Sequence, residues 1–382
     1  MKRERNTELS RDIIGMDKHQ IDTPACLIDL DVLEKNIRTM SEYYKITKGA
    51  SLRPHQKGHR LPSIARRQLK QGAVGVSMTS LGLAEYYVKH GIGNILLTTQ
   101  VYGAHKISRL CDLSKQADIT VGVDNIQNVR QLSEQALRNG TRTKIGVELY
   151  MGAGSCGVEI EKAESFVKQV VKIQGVLFNG IWWHQGSLGS MRSWDERKKA
   201  HFKTLDKVAE LKDNVEDAGI GVPMVSGGFT CTWNITPRYR GLKNVEVQAG
   251  SYVFSDWCSH EIEGLEEFGF GLTVLTRCIS KPRTDQAIFD FGMNSCADEC
   301  THDYREVVGP KFVKLDSVKN VLEREEISLA MLSQPDGNVK VGEVYEVVPP
   351  HSDTTAKLYD EYYCLRRGKV EAIWRNLGRG LF

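Results

Sequence analysis

Several signals that place a chain early are missing from this one. Its nine cysteines contain no CxxC pair, and the closest two are Cys296 and Cys300. Scattered thiols exclude a small disulfide-framed fold and predict a reducing compartment. There is no excess charge of either sign: 51 Lys and Arg face 48 Asp and Glu, a formal net charge of +3. That balance gives no field for nucleic acid or a membrane surface, so neither is an expected partner. No apolar run is long enough to span a bilayer. Met1–Gln20 is polar and lacks the apolar stretch of a signal peptide, so a cytoplasmic location is expected. No GxGxxG stands at an early strand–helix turn, which counts against an open dinucleotide-binding sheet.

What is present is alternation. The chain has 382 residues, more than one core usually serves, so two domains are expected. From Ser51 to about Trp257, short Val/Ile-rich segments precede amphipathic stretches, the pattern of parallel strands joined by crossover helices. The segments are Ser51–Arg53, Ala73–Met78, Asn94–Thr98, Ile119–Val123, Lys144–Leu149, Val176–Trp182, Val222–Val225 and Val245–Val247. Ser80, Asp124 and Glu159 stand where helices should start. Eight such units close a (β/α)8 barrel. After about Gly264 strand-like segments alternate with turns: Leu272–Ile279, Gln286–Phe291, Ile327–Ser333 and Val344–Val348. The expected fold is therefore α/β: a barrel over 31–264, with a β-rich domain formed by 1–30 and 265–382 and including a strand at Ala25–Leu30.

Barrels carry their chemistry on the loops after the strands. Here those loops hold Lys57, Thr79, Gln100, Asp124, Ser155, His184, Gly227–Gly228 and Gly250–Tyr252. The first reads Arg53-Pro-His-Gln-Lys57-Gly-His59, a lysine among histidines, proline and glycine. Partial desolvation and nearby cations lower an amine's pKa and make it a nucleophile toward a carbonyl. An exposed structural lysine is the bland alternative. The loops after the last two strands, Ser226–Thr232 and Gln248–Tyr252, have the glycines and hydroxyls of a phosphate cradle, or of ordinary turns. His184 suits a stacking ring, a base or a satisfied core histidine. In Pro349-Pro350-His351-Ser-Asp353 an extended backbone would point His351 and Asp353 the same way. An imidazole and a carboxylate suit Mn²⁺ or Mg²⁺, with Zn²⁺ a third candidate; a hydrogen-bonded turn is the alternative.

Together these residues resemble the D-threonine aldolase / D-serine dehydratase family of alanine-racemase-like pyridoxal-phosphate enzymes, from Asp22-Thr-Pro-Ala to the C-terminus. The family's Arg-Pro-His-x-Lys-x-His loop carries the Schiff-base lysine and matches Lys57. Its Gly-rich phosphate loop looks like Gly227–Thr232, its Gln-x-Gly-Ser-Tyr segment like Gln248–Tyr252, and its His-x-Asp or His-x-Cys metal pair like His351 and Asp353. The resemblance implies pyridoxal 5'-phosphate held by His55, Lys57, Gln100 and Ser155. It adds Gly227, Gly228, Thr230 and Thr232 from one loop, and Gly250, Ser251 and Tyr252 from the other. It implies a divalent metal that holds a substrate hydroxyl, a small amino acid as substrate, and a homodimer. Lys57, His59 and His184 become the catalytic candidates, the two histidines as bases.

The implied reaction is retro-aldol cleavage of a D-3-hydroxy amino acid to glycine and an aldehyde. Dehydration to an α-keto acid and ammonia, racemisation, and a non-catalytic cofactor carrier are the alternatives. Three positions depart from the family. Ser155 stands where relatives have an arginine facing the cofactor's ring nitrogen, Tyr150 where an acidic residue is usual, and Phe229 where a glycine is usual.

Overall fold

The computed structural model describes residues 13–152, 155–297, 309–333 and 338–382. Cys300 and residues 1–12, read above from sequence, lie outside them. The chain divides into two compact units. One is Arg38–Gly250 with Ile262–Gly264 and Gly380–Phe382; the other is Met1–Ile37, Ser251–Glu261 and Leu265–Arg379.

The first unit holds eight parallel strands: β1 (Ala50–Leu52), β2 (Val76–Met78), β3 (Asn94–Leu97), β4 (Asp118–Val123), β5 (Thr143–Leu149), β6 (Val176–Trp183), β7 (Met224–Gly227) and β8 (Val245–Val247). They pair in the order β1-β8-β7-β6-β5-β4-β3-β2. The ring closes just past β1. Val74 N donates to Leu52 O at 2.9 Å, Ser77 N to Pro54 O at 3.0 Å, and Gln56 N to Ser77 O at 2.8 Å. The expected (β/α)8 barrel is present, and Lys57 follows the stretch that closes it.

Ile119, Val121 and Val123 of β4 join Ile145 and Val147 of β5 in a large buried cluster with the surrounding helices. The alternate side chains point inward, as the two-residue strand period requires. Leu96, Trp182 and Met224 form a separate buried cluster. A Cβ at Gly122 would lie 2.8 Å from the Trp182 ring, so only glycine lets the indole lie there. Burying the strands on both faces explains their nearly continuous apolar content.

Helix starts fall close to the expected places. Ser80 and Glu159 occupy N-cap positions, without side-chain cap bonds, of helices Leu81–Lys89 and Ile160–Val170. Before Ile126–Arg138 the cap is Asn125, which accepts from Gln127 N at 2.8 Å. Asp124 is thereby left to the loop, where it accepts from Gly157 N at 3.2 Å. Among the described residues no helix is long and apolar enough to cross a membrane.

The second unit is β-rich. Ala25–Asp29 pairs antiparallel with Leu272–Arg283 and parallel with Glu361–Arg366, so the early strand lies in this sheet as expected. Gln286–Phe289, Ser328–Leu332 and Val344–Val348 also form near their expected places. Phe289 packs on Phe312 with ring centroids 4.6 Å apart, at the heart of its core. The hairpin Glu361–Arg366 with Lys369–Arg375 has no Asn-Gly turn to announce it; Arg367 and Gly368 turn the chain with positive φ. Cys258 is disulfide-bonded, against the reducing compartment expected from the scattered thiols, while Cys26, Cys111, Cys156, Cys231, Cys278, Cys296 and Cys364 are free.

Candidate active site

The barrel site begins at the first loop. Lys57 N donates to His55 Nδ1 at 3.2 Å, and Leu61 N donates to His59 Nδ1 at 3.0 Å. Each histidine thus accepts from the backbone two residues on, which leaves its proton on Nε2 in the neutral form. His55 Nε2 lies 3.3 Å from Thr98 Oγ1. His59 is fully buried. With its acceptor nitrogen engaged, His59 is poorly placed to take a proton. The Lys57 side chain is half-buried in this turn.

The loops after β7 and β8 are tied together: Gly250 N donates to Thr230 Oγ1 at 3.2 Å. Glycine is needed at Gly227, where a Cβ would lie 2.2 Å from the Trp183 ring, and at Gly250, where it would lie 2.7 Å from His55 O. Thr232 Oγ1 donates to Phe229 O at 3.2 Å and accepts from Phe229 N at 3.1 Å, so its hydroxyl shapes the loop. Phe229 sits in extended backbone at φ −162°, which any residue adopts, so the position does not require glycine. Its ring meets His184 edge-on at 5.3 Å. His184 itself is exposed at the end of β6.

The helix Trp194–Asp217 braces this loop with two residues that sequence reasoning missed. Buried Arg197 donates to Cys231 O at 3.1 Å, Met191 O at 2.7 Å and Arg192 O at 2.8 Å, and also to Glu263 O. One turn on, His201 Nε2 lies 2.9 Å from Thr236 Oγ1, which donates to Thr232 O at 3.1 Å. Burial drives the His201 pKa down to about 3, so it is a neutral strut.

Glu148 was also missed. It is 6% exposed near the C-terminal end of β5 and accepts from Gln100 Nε2. Desolvation pushes its pKa up to about 7; the Gln100 bond opposes this and the Asp124 charge adds to it. Asp124, Glu148 and Cys156 converge, their ligand atoms within 4.8 Å of one another. An acidic residue flanked by Val147 and Leu149 in a largely buried strand was the available signal. Ser155 Oγ, Trp183 Nε1 and Gln185 Oε1 follow or end β5 and β6, and are buried without a hydrogen-bond partner among the described residues. Tyr150 is exposed.

These features fit pyridoxal phosphate. A half-buried amine stands on the closing turn, two glycine-bearing loops are tied together beside it, and Ser155, Trp183 and Gln185 carry buried polar atoms without partners among the described residues. Lys57, Gly227, Gly228, Thr230 and Gly250 would hold the group.

In the β-rich unit, Ser251 and Tyr252 form a 3-10 turn, and Tyr252 is buried against Phe268 at 5.6 Å. His351 and Asp353 are 7% and 6% exposed. Their backbone is not the expected extended pair: His351 is extended, but Ser352–Ala356 is a short helix. Sequence spacing missed this because Ser352 N turns inward to Asp256 Oδ2 at 3.1 Å. A buried imidazole and carboxylate still make a donor set that suits a divalent cation.

With this geometry in place, the comparisons decide the family. The chain matches the family described as "Alanine racemase, N-terminal domain" over residues 28–254 and that described as "Putative serine dehydratase domain" over residues 271–365. It is 34% identical to the 3-hydroxy-D-aspartate aldolase of Paracoccus denitrificans (strain Pd 1222), covering 96% of this chain and 94% of that one. The chain belongs to the D-threonine aldolase / D-serine dehydratase family. As an alanine-racemase-like member of it, the chain is a pyridoxal-phosphate-dependent lyase. A D-threonine aldolase from Arthrobacter is 32% identical, over 94% of this chain and 93% of that one. The crystal structure of a D-threonine aldolase from Filomicrobium marinum superposes with a TM-score of 0.88 at 29% identity, covering 96% and 98% of the two chains.

Proposed function

We propose that the enzyme cleaves D-3-hydroxy amino acids of the D-threonine type to glycine and an aldehyde, with pyridoxal phosphate on Lys57 and a divalent cation on His351 and Asp353. The observation that carries this reading is the placement of Lys57 on the barrel-closing turn, with the glycine loops of β7 and β8 tied by the Gly250–Thr230 bond. In this reading residues 31–264 are the cofactor domain, and 1–30 with 265–382 the metal-carrying domain. The protein works as a cytoplasmic homodimer on a small amino acid.

Bound cofactor supplies an electron sink for the pair released at Cα, and bound metal a Lewis acid for the β-hydroxyl. The chain's own residues do the rest. Lys57 Nζ holds the cofactor covalently. The backbone at Gly227, Gly228 and Gly250 and the Thr230 hydroxyl bind phosphate, and Thr232, Arg197 and His201 keep that loop shaped. Gln100 steadies Glu148, and Ser155 Oγ offers a neutral hydrogen bond where relatives place a cation. His184, exposed and braced by Phe229, takes the hydroxyl proton on its imidazole as the Cα–Cβ bond breaks. His55 orients the lysine turn through its bond from Lys57 N. His59 Nδ1 is held by Leu61 N, so the base role falls to His184.

A second reading, dehydration to an α-keto acid and ammonia, is favoured by the match of residues 271–365 to the serine dehydratase domain. Product analysis with D-3-hydroxy amino acids separates the two. Glycine plus aldehyde is expected, and ammonia with a keto acid would replace the aldolase reading. Chelation should abolish turnover and Mn²⁺ should restore it; racemisation that survives chelation would overturn the metal-dependent reading.

A further inference from the structure

Asp256 is the most heavily engaged carboxylate near the His351 segment, and the proposed reaction gives it no task. It is 2% exposed. One oxygen, Oδ1, accepts from Ser259 N at 2.8 Å and caps the short helix Trp257–His260. The other, Oδ2, accepts from Ser352 N at 3.1 Å and Ser352 Oγ at 3.2 Å, and lies 3.4 Å from His351 Nδ1. The backbone fastens the same two segments: Trp257 N donates to Pro349 O at 3.1 Å and Cys258 N to Pro350 O at 3.2 Å. Among the described residues no lysine or arginine pairs with Asp256; the His351 imidazole lies against it.

We infer that Asp256 is a positioning residue for the metal centre, fixing His351 as the Nδ1–H tautomer and reserving Nε2 as the ligand atom. This rests on the reading of His351 and Asp353 as metal ligands. A carboxylate facing Nδ1 requires a proton on that nitrogen, because carboxylate oxygens only accept. The lone pair then lies on Nε2, at the far side of the ring from Asp256. Asp256 is therefore behind the ligand and is not itself one. Metal-bound histidines commonly lean their second nitrogen on such a group, which sets the ring's orientation and raises its basicity. The absence of a competing cation among the described residues leaves the charge of Asp256 directed at the imidazole.

Asp256→Asn tests this, since an amide has one acceptor where Asp256 uses two. With its oxygen on Ser259 N, its NH₂ faces His351 Nδ1 and drives the proton to Nε2, closing the ligand atom. With its oxygen on His351, it opposes the Ser259 N–H. Mn²⁺ is titrated into the pyridoxal-phosphate-loaded enzyme and free Mn²⁺ is read by electron paramagnetic resonance. The expected result is that His351→Ala abolishes specific binding and Asp256→Asn weakens it about 10–100-fold. Ser352→Ala, which removes only a hydroxyl from the same oxygen, should bind Mn²⁺ like wild type.

Wild-type affinity in Asp256→Asn, with binding lost in His351→Ala, would overturn the role of Asp256 and leave the metal assignment standing. Wild-type affinity in His351→Ala would overturn the metal assignment and this inference with it. Should Asp256→Asn fail to fold, nitrogen-15 spectra of histidine-labelled, metal-free wild type decide the matter. The His351 signal, identified by its loss in His351→Ala, is expected as the Nδ1–H tautomer. The Nε2–H tautomer would overturn the inference.

Discussion

Glu148 and His201 in the barrel unit and Arg366 in the β-rich unit are prepared by different means. In the barrel unit, Glu148 and His201 are displaced chiefly by burial: one carboxyl is pushed up to about 7 and one imidazole down to about 3. Buried atoms at Ser155, Trp183 and Gln185 are left without partners among the described residues. In the β-rich unit burial acts too, pushing up the Cys26 thiol and the Tyr359 hydroxyl, but at Arg366 the ordering agent is a partner. Arg366 reaches Asp31 at 2.8 Å, Glu34 at 3.0 Å and Glu371 at 2.7 Å, and these bonds raise its pKa. Asp256 Oδ2 lies 3.4 Å from His351 Nδ1, the contact from which its ordering role is inferred above. Desolvation makes a group's charge state responsive to what binds next, whereas pairing fixes it. A barrel that receives a charged, conjugated cofactor gains from the first. The two-residue metal site proposed above would gain from the second.

Three perturbations sharpen or break this contrast. The largest effect is expected in the barrel at Gly227→Ala, whose new Cβ would lie 2.2 Å from the Trp183 ring. Crowding a rigid indole there should cost about 3 kcal/mol in chemical denaturation and weaken cofactor binding. A loss under about 1 kcal/mol would mean that the mouth of the barrel is not closely packed.

Glu148→Gln comes next. The folded pKa of Glu148 is about 7, against an ordinary value of 4.5, so between these pH values the native state keeps a proton that the unfolded chain has lost. Apo wild type should therefore lose stability as pH rises through that window, by about 1.4 kcal/mol per unit and about 3 kcal/mol in all. Glutamine mimics the protonated acid and should remove that slope. Parallel pH profiles for the two proteins would show that burial does not set this group's charge.

The smallest effect is expected in the β-rich unit. Arg366→Ala removes a half-exposed cluster and should lower Tm by no more than about 3 °C, less in high salt. A large, salt-insensitive loss would erase the distinction between the units.

The sequence made the barrel legible because its signals are local. Segments such as Ile119–Val123 are apolar over their whole length, and proline, glycine and histidine gather around Lys57. The β-rich hairpin at 361–375 was illegible because its turn, Arg367-Gly368, lacks the usual dipeptide. The loops proposed to hold the cofactor were suggested by their glycines, but their braces were not visible in the sequence. Arg197 and His201 look like ordinary polar positions on a long helix, and only the fold brings them to Cys231 and Thr236. The proposed metal pair was suggested by the spacing of His351 and Asp353. The carboxylate behind it was not, because Asp256 lies 95 residues earlier in the chain, where it reads as a helix cap. Spacing also suggested an extended His-x-Asp, and the inward bond from Ser352 N to Asp256 instead accompanies a helical turn.

Borohydride reduction of the cofactor-loaded enzyme, followed by peptide mapping, tests the central assignment most directly. The pyridoxyl label is expected on the peptide containing Lys57, and Lys57→Ala should carry none. A label on another lysine, or no label on wild type, would contradict it.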